Sequence, residues 1–256
     1  MASLDEISSA QLQRYSRQIM LPQIGIEGQL RLLRAHVFII GVGGLGSAAA
    51  YYLTASGIGK LSICDAEQVE ASNLQRQILH GSDDIGRLKT ESARNALHRL
   101  NPDIQIHTIN RRFETLEPQQ LETVDILLDA SDNFATRFSA NHTSIRLGIP
   151  LVSAAAIRME GQLSTFEPKH ADSPCYQCLY RDEAMDTPDN CSVGGVLAPI
   201  VGIIGTLQAL EAIKLITGTG EPLRGRLLLF DGAGLQWRSV RLPRDPLCPA
   251  CGQRQR

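Results

Sequence analysis

The sequence lacks the features of two common non-enzymatic classes of protein. It has no excess of positive charge, because 25 Lys and Arg residues stand against 27 Asp and Glu residues. Nonspecific nucleic-acid binding requires a concentrated basic face, and the only basic cluster here is the tail 254–256. It also lacks a clean membrane span, since its longest apolar run, 196–210, is interrupted by a proline and two glycines. We therefore expect neither nucleic-acid binding nor membrane insertion.

A secretory signal is also missing from the beginning of the sequence. Residues 1–13 are polar and show no basic region followed by an apolar stretch. We therefore expect a cytoplasmic protein, whose six cysteines stay reduced. The spacing of those cysteines then has to be explained by metal binding or by catalysis.

The first 155 residues alternate between short β-branched runs and segments with helical periodicity. The segment 1–34 has an amphipathic helical pattern that breaks at Pro22. Strands are predicted at 36–40, 60–64, 104–109, 125–128 and 150–153, with helices at 45–56, 88–100 and 133–147. This alternation predicts an α/β fold with a mainly parallel, Rossmann-like sheet covered on both faces.

The pattern changes after residue 155. Antiparallel strands are predicted at 161–167, 226–231 and 236–242, with a long apolar helix at 199–217. No repeat, linker or low-complexity segment divides the chain. We therefore expect a single domain over 1–256, with a nucleotide-binding part at about 10–155 and a second part at about 156–252.

A glycine turn follows the first predicted strand and precedes a helix. It has the pattern G-x-G-x-x-G, supplied by Gly41, Gly43 and Gly46 with a further glycine at Gly44. Such a turn lets phosphate approach the backbone at the positive end of a helix. Asp65, at the tip of the second strand, stands where an acid usually binds ribose hydroxyls. Alone, this pattern fits any adenine nucleotide or dinucleotide, or a tight turn with no ligand, and an NAD-dependent oxidoreductase remains an alternative.

Four polar residues follow the strands and favour ATP over a nicotinamide cofactor. Asn73 and Arg76 come shortly after the second strand, Lys89 begins a helix, and Asp132 follows the strand 125–128. The carboxyl ends of parallel strands meet at one edge of a sheet, where ligands bind. Taken singly, Arg76 and Lys89 have the properties of solvated surface charges. Together with the acids they indicate a site for ATP with Mg²⁺, and no Walker motif offers another phosphate cradle.

Two C-x₂-C pairs predict a structural metal site. Cys175 and Cys178 form the first pair, and Cys248 and Cys251 form the second. Four thiolates suit tetrahedral Zn²⁺, which would tie the end of this sequence back onto the domain. Disulfides or a redox-active pair are the alternatives.

The other two cysteines are predicted to differ from each other. Cys191 lies among polar and glycine residues, which is typical of an exposed loop with either a reactive thiolate or an idle cysteine. Cys64 ends a buried strand and is expected to be a small core residue. The six histidines include no i, i+4 pair, so none is assigned a chemical role.

Five motifs together resemble the ubiquitin-activating-type (ThiF/MoeB/HesA) adenylyltransferases. They are RYSRQI (14–19), GVGGLG (41–46), D-x₇-NLQRQ (65–77), IGRLK (85–89) and SDN-x₃-R (131–137). The resemblance covers about residues 10–252. It implies that Asp65 binds the ribose of ATP, that Asn73, Arg76 and Lys89 bind the triphosphate, and that Asp132 holds Mg²⁺.

Further roles follow from the same resemblance. Arg14 would reach across a homodimer interface into the nucleotide site of the partner. The four paired cysteines match the zinc ligands of the family, and Cys191 matches the cysteine that joins or attacks the activated carrier during sulfur transfer.

The activity that the resemblance implies is adenylylation of the C-terminal Gly-Gly of a small ubiquitin-like sulfur-carrier protein. A sulfurtransferase or cysteine desulfurase would then donate sulfur. The segments 205–218 and 229–242 resemble the thiamin branch more closely, and no sulfurtransferase domain follows the second cysteine pair. The molybdopterin branch is the alternative within the family, and a catalytically silent carrier-binding scaffold is the alternative outside enzymes.

Overall fold

A computed structural model describes residues 6–181 and 195–252 of the protein. One eight-stranded sheet runs through this part of the chain in the order β3-β2-β1-β4-β5-β6-β7-β8. Strands β1 to β5 pair in parallel, and β6, β7 and β8 extend the sheet with antiparallel pairing. The strands are β1 (His36–Ile40), β2 (Lys60–Cys64), β3 (Gln105–Ile109), β4 (Ile126–Asp129), β5 (Leu151–Ile157), β6 (Glu160–Phe166), β7 (Arg226–Asp231) and β8 (Gln236–Arg241). This confirms the predicted mainly parallel sheet with an antiparallel extension.

The helices cover the sheet on both faces. They are α1 (Ser9–Arg14), α2 (Ser16–Ile19), α3 (Gly25–Arg34), α4 (Gly44–Ser56), α5 (Lys89–Leu100), α6 (Phe134–Leu147), α7 (Tyr176–Leu179) and α8 (Ala198–Thr217). The chain breaks at Tyr15 as well as near Pro22, so the N-terminal helical pattern forms three short helices. Tyr15 is buried and accepts a hydrogen bond from Asn101 Nδ2 at 2.9 Å. This tertiary contact explains a break that helical periodicity does not show.

Strand β5 is longer than its sequence pattern indicates. The prediction ended at residue 153, but the strand continues to Ile157. Ala154 pairs with Leu163, and Ala156 pairs with Gly161, across the antiparallel junction with β6. Alanine has low β propensity, so pairing with the neighbouring strand decides the conformation here.

Alternate side chains of the central strands build two cores. Val37 and Ile39 of β1 pack on one face against residues of α4, α5 and α8, while Phe38 and Ile40 pack on the other face against residues of α6. All four side chains are buried. Because a strand presents successive side chains to opposite faces, helices on both faces require a strand that is apolar throughout.

Helix α8 is long and apolar enough to cross a membrane by length and composition alone. It packs along α4 and the sheet, and half of it is buried inside the protein. Its polar side chains bond within the fold: Gln208 Nε2 donates to Asp129 O at 2.8 Å, and Glu211 Oε2 accepts from Leu223 N at 2.7 Å. These contacts are those of a core helix.

Candidate active site and metal centre

The candidate active site lies at the carboxyl ends of β1, β2 and β4. Strand β1 pairs with β2 on one side and with β4 on the other, so the chain connections diverge at this point of the sheet. Open α/β sheets bind ligands in the crevice at such a switch point. The glycine turn, the loop after β2 and the loop after β4 all border this crevice.

Two glycines give the turn after β1 its tight shape. Gly41 has a φ of +85°, which favours a residue without a Cβ. A Cβ added at Gly46 would lie 2.0 Å from the carbonyl oxygen of Gly41, so α4 begins directly against the turn. A Cβ at Gly41 would lie 3.2 Å from Ala130 O, which brings the loop after β4 against the same turn.

The other two glycines open the turn toward a ligand and toward α8. Gly43 is the N-cap of α4 and provides no side-chain cap, so within residues 6–181 and 195–252 the first N–H groups of the helix are left without a capping side chain. A Cβ at Gly43 would be in ordinary contact with the Gln77 amide at 3.6 Å, whereas one at Gly44 would overlap Val201 of α8. Free N–H groups at a helix N-terminus bind anions, so this end of α4 suits phosphate.

Asp65 connects the glycine turn to the end of β2. Its Oδ2 accepts from Val42 N at 3.0 Å, and its Oδ1 accepts from Glu67 N at 2.9 Å. Burial raises the pKa of this carboxyl, while Lys89 and the two backbone donors act in the opposite direction. Each carboxylate oxygen keeps a further lone pair that can accept from a ribose hydroxyl.

Lys89 is the buried cation of the site. It is the first residue of α5, and its Nζ lies 2.5 Å from Glu67 Oε2. Its backbone N donates to Glu67 O at 3.0 Å. The structure therefore places Lys89 against the loop that follows Asp65, where its charge also acts on the Asp65 carboxyl.

Asn73 and Arg76 lie in the turn that follows β2. Asn73 is buried, and its Oδ1 accepts from Glu70 N at 3.2 Å. Arg76 is partly exposed and donates to Ser72 O at 3.2 Å. No carboxylate within 6–181 or 195–252 forms an ion pair with Arg76, so its charge is available to an anionic ligand.

Asp132 follows β4 at the edge of the crevice. It is exposed, and among the described residues it takes part in no side-chain hydrogen bond or ion pair. The loop that carries it is fixed by the buried Asp129, whose carboxylate accepts from Ser131 N at 3.1 Å and from Ser153 Oγ at 2.7 Å. An exposed carboxylate on a fixed loop suits Mg²⁺, which binds few protein carboxylates and keeps several waters.

Sequence reasoning missed two side chains that contact the glycine turn. His80 Nε2 donates to the carbonyl of Val42 at 3.2 Å, and its Nδ1 lies 2.8 Å from Ser92 Oγ. Burial lowers the pKa of this imidazole. Gln77 is also buried, with its amide beside Gly43. A lone histidine carries no motif, whereas the position of Gln77 within NLQRQ offered a signal.

Four cysteines form a compact cluster away from this crevice. Their sulfurs all lie within 4.8 Å of one another, and the pairs 175–248 and 178–251 are 3.6 Å and 3.5 Å apart. Sulfurs bound to a tetrahedral zinc ion at about 2.3 Å would be about 3.8 Å apart. The spacing therefore fits Zn²⁺, and the described cysteines are free thiols rather than disulfides. Backbone N–H groups of Cys175 and Asp245 point at Cys178 Sγ from 3.4 Å and 3.5 Å, as expected around a metal-bound thiolate.

The comparison with protein families decides the identity of this fold. Residues 15–250 match the model of the ThiF family, which is nearly the whole chain. The chain belongs to the ThiF family. This confirms the resemblance that the five motifs carry.

Curated ThiF-family relatives cover both branches of sulfur-carrier chemistry. The sulfur carrier protein ThiS adenylyltransferase of Escherichia coli K12 is 46% identical over 93% of this chain and 94% of its own length. The molybdopterin-synthase adenylyltransferase of the same organism is 43% identical over 97% of this chain and 99% of its own length. The adenylyltransferase and sulfurtransferase MOCS3 of Drosophila ananassae is 44% identical over 96% of this chain, which spans 55% of that protein.

A solved structure with the same fold contains ATP. The crystal structure of E. coli MccB with ATP superposes with a TM-score of 0.80 at 26% identity, and covers 94% of this chain and 75% of that one. The two proteins therefore share the same fold.

Arg14 lies outside the crevice of its own chain. Its guanidinium donates to Leu100 O at 3.1 Å, at the C-terminal end of α5. Lys89 begins the same 12-residue helix, which places the two residues about 16 Å apart along its axis. Within a single chain of this protein, Arg14 and Lys89 are therefore far apart.

The two remaining cysteines have different outcomes. Cys64 is buried, and burial raises the pKa of its thiol to about 12, which confirms the prediction of a core residue. Cys191 lies outside the residues that the structure describes, so its predicted role stays a prediction.

A groove of about 560 Å³ lies over the antiparallel strands of this ThiF-family protein. Its walls include Ala155, Gly161, Arg158 and Arg238. Arg137 also lines it and donates to Ser131 O at 2.9 Å. The groove therefore borders the loop that carries Asp132.

Proposed function

We propose that this protein is an ATP-dependent adenylyltransferase that activates the C-terminal Gly-Gly carboxylate of a small ubiquitin-like sulfur-carrier protein. The supporting observation is the switch-point crevice, where an open helix N-terminus, the acid Asp65 and the cation Lys89 lie together. The family relatives named as adenylyltransferases support the same reaction.

The proposed reaction needs positioning and charge stabilisation rather than an enzyme nucleophile. A carboxylate oxygen of the carrier attacks the α-phosphorus of ATP, the bond to the β-phosphate breaks, and pyrophosphate leaves with the bonding electrons. Negative charge grows on the phosphate oxygens and on the leaving group. Lys89, Arg76 and the N-terminus of α4 would stabilise that charge, and Asp65 would hold the ribose.

Asp132 is the proposed Mg²⁺ ligand, and Asn73 is proposed to bind the triphosphate beside Arg76. A bound Mg²⁺ would neutralise charge on the phosphates and orient them. Asp132 is exposed and unpaired within the described ranges, which supports this assignment.

A homodimer is part of the proposal. Arg14 stands at the far end of α5 from Lys89, so it cannot serve the nucleotide site of its own chain. A second copy that presents Arg14 to the crevice would add another cation to the phosphate site.

The carrier tail is proposed to enter the groove over β5, β6 and β7. Small residues such as Ala155 and Gly161 leave room for a Gly-Gly backbone, and the groove borders the Asp132 loop. The proposed division of the chain is nucleotide binding in about 10–155 and carrier and zinc binding in about 156–252, with Arg137 and Ala155 lining the groove from the first part. The zinc cluster holds residues 248–251 against residues 175–178 and so supports the carrier-binding part.

We favour the thiamin carrier over the molybdopterin carrier, because the ThiS adenylyltransferase is the more identical of the two E. coli relatives. Cys191 is proposed to act after adenylylation, when a sulfurtransferase or cysteine desulfurase supplies sulfur. These steps suit a cytoplasmic enzyme.

Pyrophosphate exchange tests reaction and partner together. Purified protein is mixed with ATP, labelled pyrophosphate and one carrier at a time, either the thiamin or the molybdopterin carrier. We expect label to enter ATP only when a carrier with an intact Gly-Gly is present, and faster with the thiamin carrier. A carrier lacking its last glycine is the matched control.

Exchange only with the molybdopterin carrier would overturn the choice of branch while keeping the reaction. No exchange with either carrier would reject the proposed function. NAD binding without ATP binding would point to the oxidoreductase alternative.

A further inference from the structure

We propose that Glu67 is a competing anion that holds the phosphate-binding position of Lys89 when no nucleotide is bound. This inference rests on the proposed function and adds a residue that sets the affinity for ATP. Glu67 lies at an unspecified position of the motif D-x₇-NLQRQ, so the family resemblance assigned it no role.

The two ends of the Lys89–Glu67 ion pair differ in their surroundings. The Lys89 side chain is only 4% exposed, whereas the Glu67 side chain is 71% exposed, and Nζ lies 2.5 Å from Oε2. Fold atoms therefore surround the cation, and the glutamate covers its solvent side. A phosphate that arrives from solvent meets Lys89 where the carboxylate now stands.

The backbone of Glu67 is fixed independently of its side chain. Its N–H donates to Asp65 Oδ1 at 2.9 Å, and its carbonyl accepts from Lys89 N at 3.0 Å. The residue thus lies between the acid proposed for the ribose and the cation proposed for the phosphates. These bonds need no carboxylate, so the side chain is free to leave Lys89 while the loop stays in place.

Electrostatics explains why such a residue would be present. A buried ammonium group is costly unless an anion faces it, so Lys89 requires a partner in the empty site. ATP phosphates can replace that partner, and the carboxylate can return as pyrophosphate leaves. The free energy needed to separate the ion pair reduces the net free energy of ATP binding. The displaced carboxylate also repels the triphosphate.

The variant Glu67→Gln tests this role. Its amide oxygen can still accept from Lys89 Nζ, so the fold is retained while the competing charge is removed. Partly exposed ion pairs contribute up to about 1 kcal/mol, so we expect Mg·ATP to bind about twofold to fivefold more tightly. Adenosine, which has no phosphate, should bind the variant and the wild type equally.

The experiment is isothermal titration calorimetry of the full chain with Mg·ATP and with adenosine, without carrier. Glu91→Gln is the matched control, because Glu91 is an exposed acid in the first turn of α5 and has no ion pair with Lys89 in the described part of the chain. We expect its affinity to match the wild type.

Equal or weaker binding of Mg·ATP by Glu67→Gln, with normal binding by the wild type, would overturn the role of Glu67 and leave the proposed function intact. An equal gain in Glu91→Gln would also overturn it, because the effect would then be one of general charge. A wild-type protein that binds no ATP would reject the proposed function, and this inference with it.

Discussion

Replacing Gly43 with alanine should weaken ATP binding without unfolding the protein, whereas alanine at Gly46 should destabilise the fold itself. The two glycines are three residues apart in the same turn, but they face different surroundings. A Cβ at Gly43 meets only the Gln77 amide at 3.6 Å, an ordinary contact, and its φ of −72° is not in the left-handed region that favours glycine. A Cβ at Gly46 would lie 2.0 Å from Gly41 O, which is a fixed backbone atom.

The expected sizes follow from these contacts. Alanine at Gly43 keeps the backbone N–H but places a methyl group where phosphate would approach the turn. Hydrogen bonds to charged groups contribute about 1.5–3 kcal/mol, so keeping phosphate from one N–H predicts about a tenfold to hundredfold weaker affinity. Overlap of the kind at Gly46 lowers the free energy of unfolding by about 1–3 kcal/mol or more. Each kcal/mol lowers the Tm of a chain of this size by about 2–4 °C. The Tm of Gly43→Ala should stay close to that of the wild type.

Thermal unfolding and ATP titration of both variants provide the assay. Gly202→Ala on α8 is the matched control, because a Cβ there has no neighbour within 4 Å. It should bind ATP normally and be at least as stable as the wild type, since alanine favours a helix over glycine. If Gly43→Ala bound ATP as tightly as Gly202→Ala, phosphate would not approach this turn, and the proposed site would be wrong.

Four other changes are expected to have distinct effects. Arg76→Ala should abolish carrier-dependent pyrophosphate exchange. Cys191→Ala should keep this exchange and lose only the later sulfur transfer. Loss of exchange in a folded Cys191→Ala protein would contradict this division of roles. Cys248→Ser should release zinc and lower the Tm, since metal binding contributes to folding; unchanged metal content by atomic absorption would argue against a four-thiolate site. Burial lowers the pKa of His36 to about 4, so the unfolded chain takes up its proton first and stability falls as the pH drops from about 6.5 toward 4. The free energy of unfolding should fall by about 3 kcal/mol in total over this range. Urea unfolding at about pH 7 and pH 4.5 should show a smaller fall for His36→Gln than for the wild type, and equal falls would refute the assignment.

The parallel half of the fold follows from local sequence. The segment 36–40 is apolar at its last four positions because helices cover both faces of its strand, and the predicted bounds agree with the structure. The acid Asp65 and the glycine turn meet because β1 and β2 end at the same edge.

Contacts distant in sequence account for what the pattern missed. The break at Tyr15 depends on Asn101, and the extension of β5 through Ala154–Ala156 depends on pairing with β6. Neither contact can be seen in the periodicity of the local sequence. Tertiary pairing overrides local propensity at both places.

The candidate site shows the same division. Motifs predicted Lys89 and Asp65 as site residues, since their residue types and spacing suit the proposed chemistry. The contacts of His80 with Val42 and of Glu67 with Lys89 are visible only in the structure, because His80 lies outside the motifs and Glu67 occupies a position that its motif leaves unspecified.

A crystal structure of the protein soaked with Mg·ATP tests the central claim most directly. We predict that the phosphates lie at the N-terminus of α4, that Lys89 and Arg76 face them, and that Asp132 contacts the Mg²⁺. ATP bound elsewhere, or bound with Arg76, Lys89 and Asp132 turned away from it, would contradict the account.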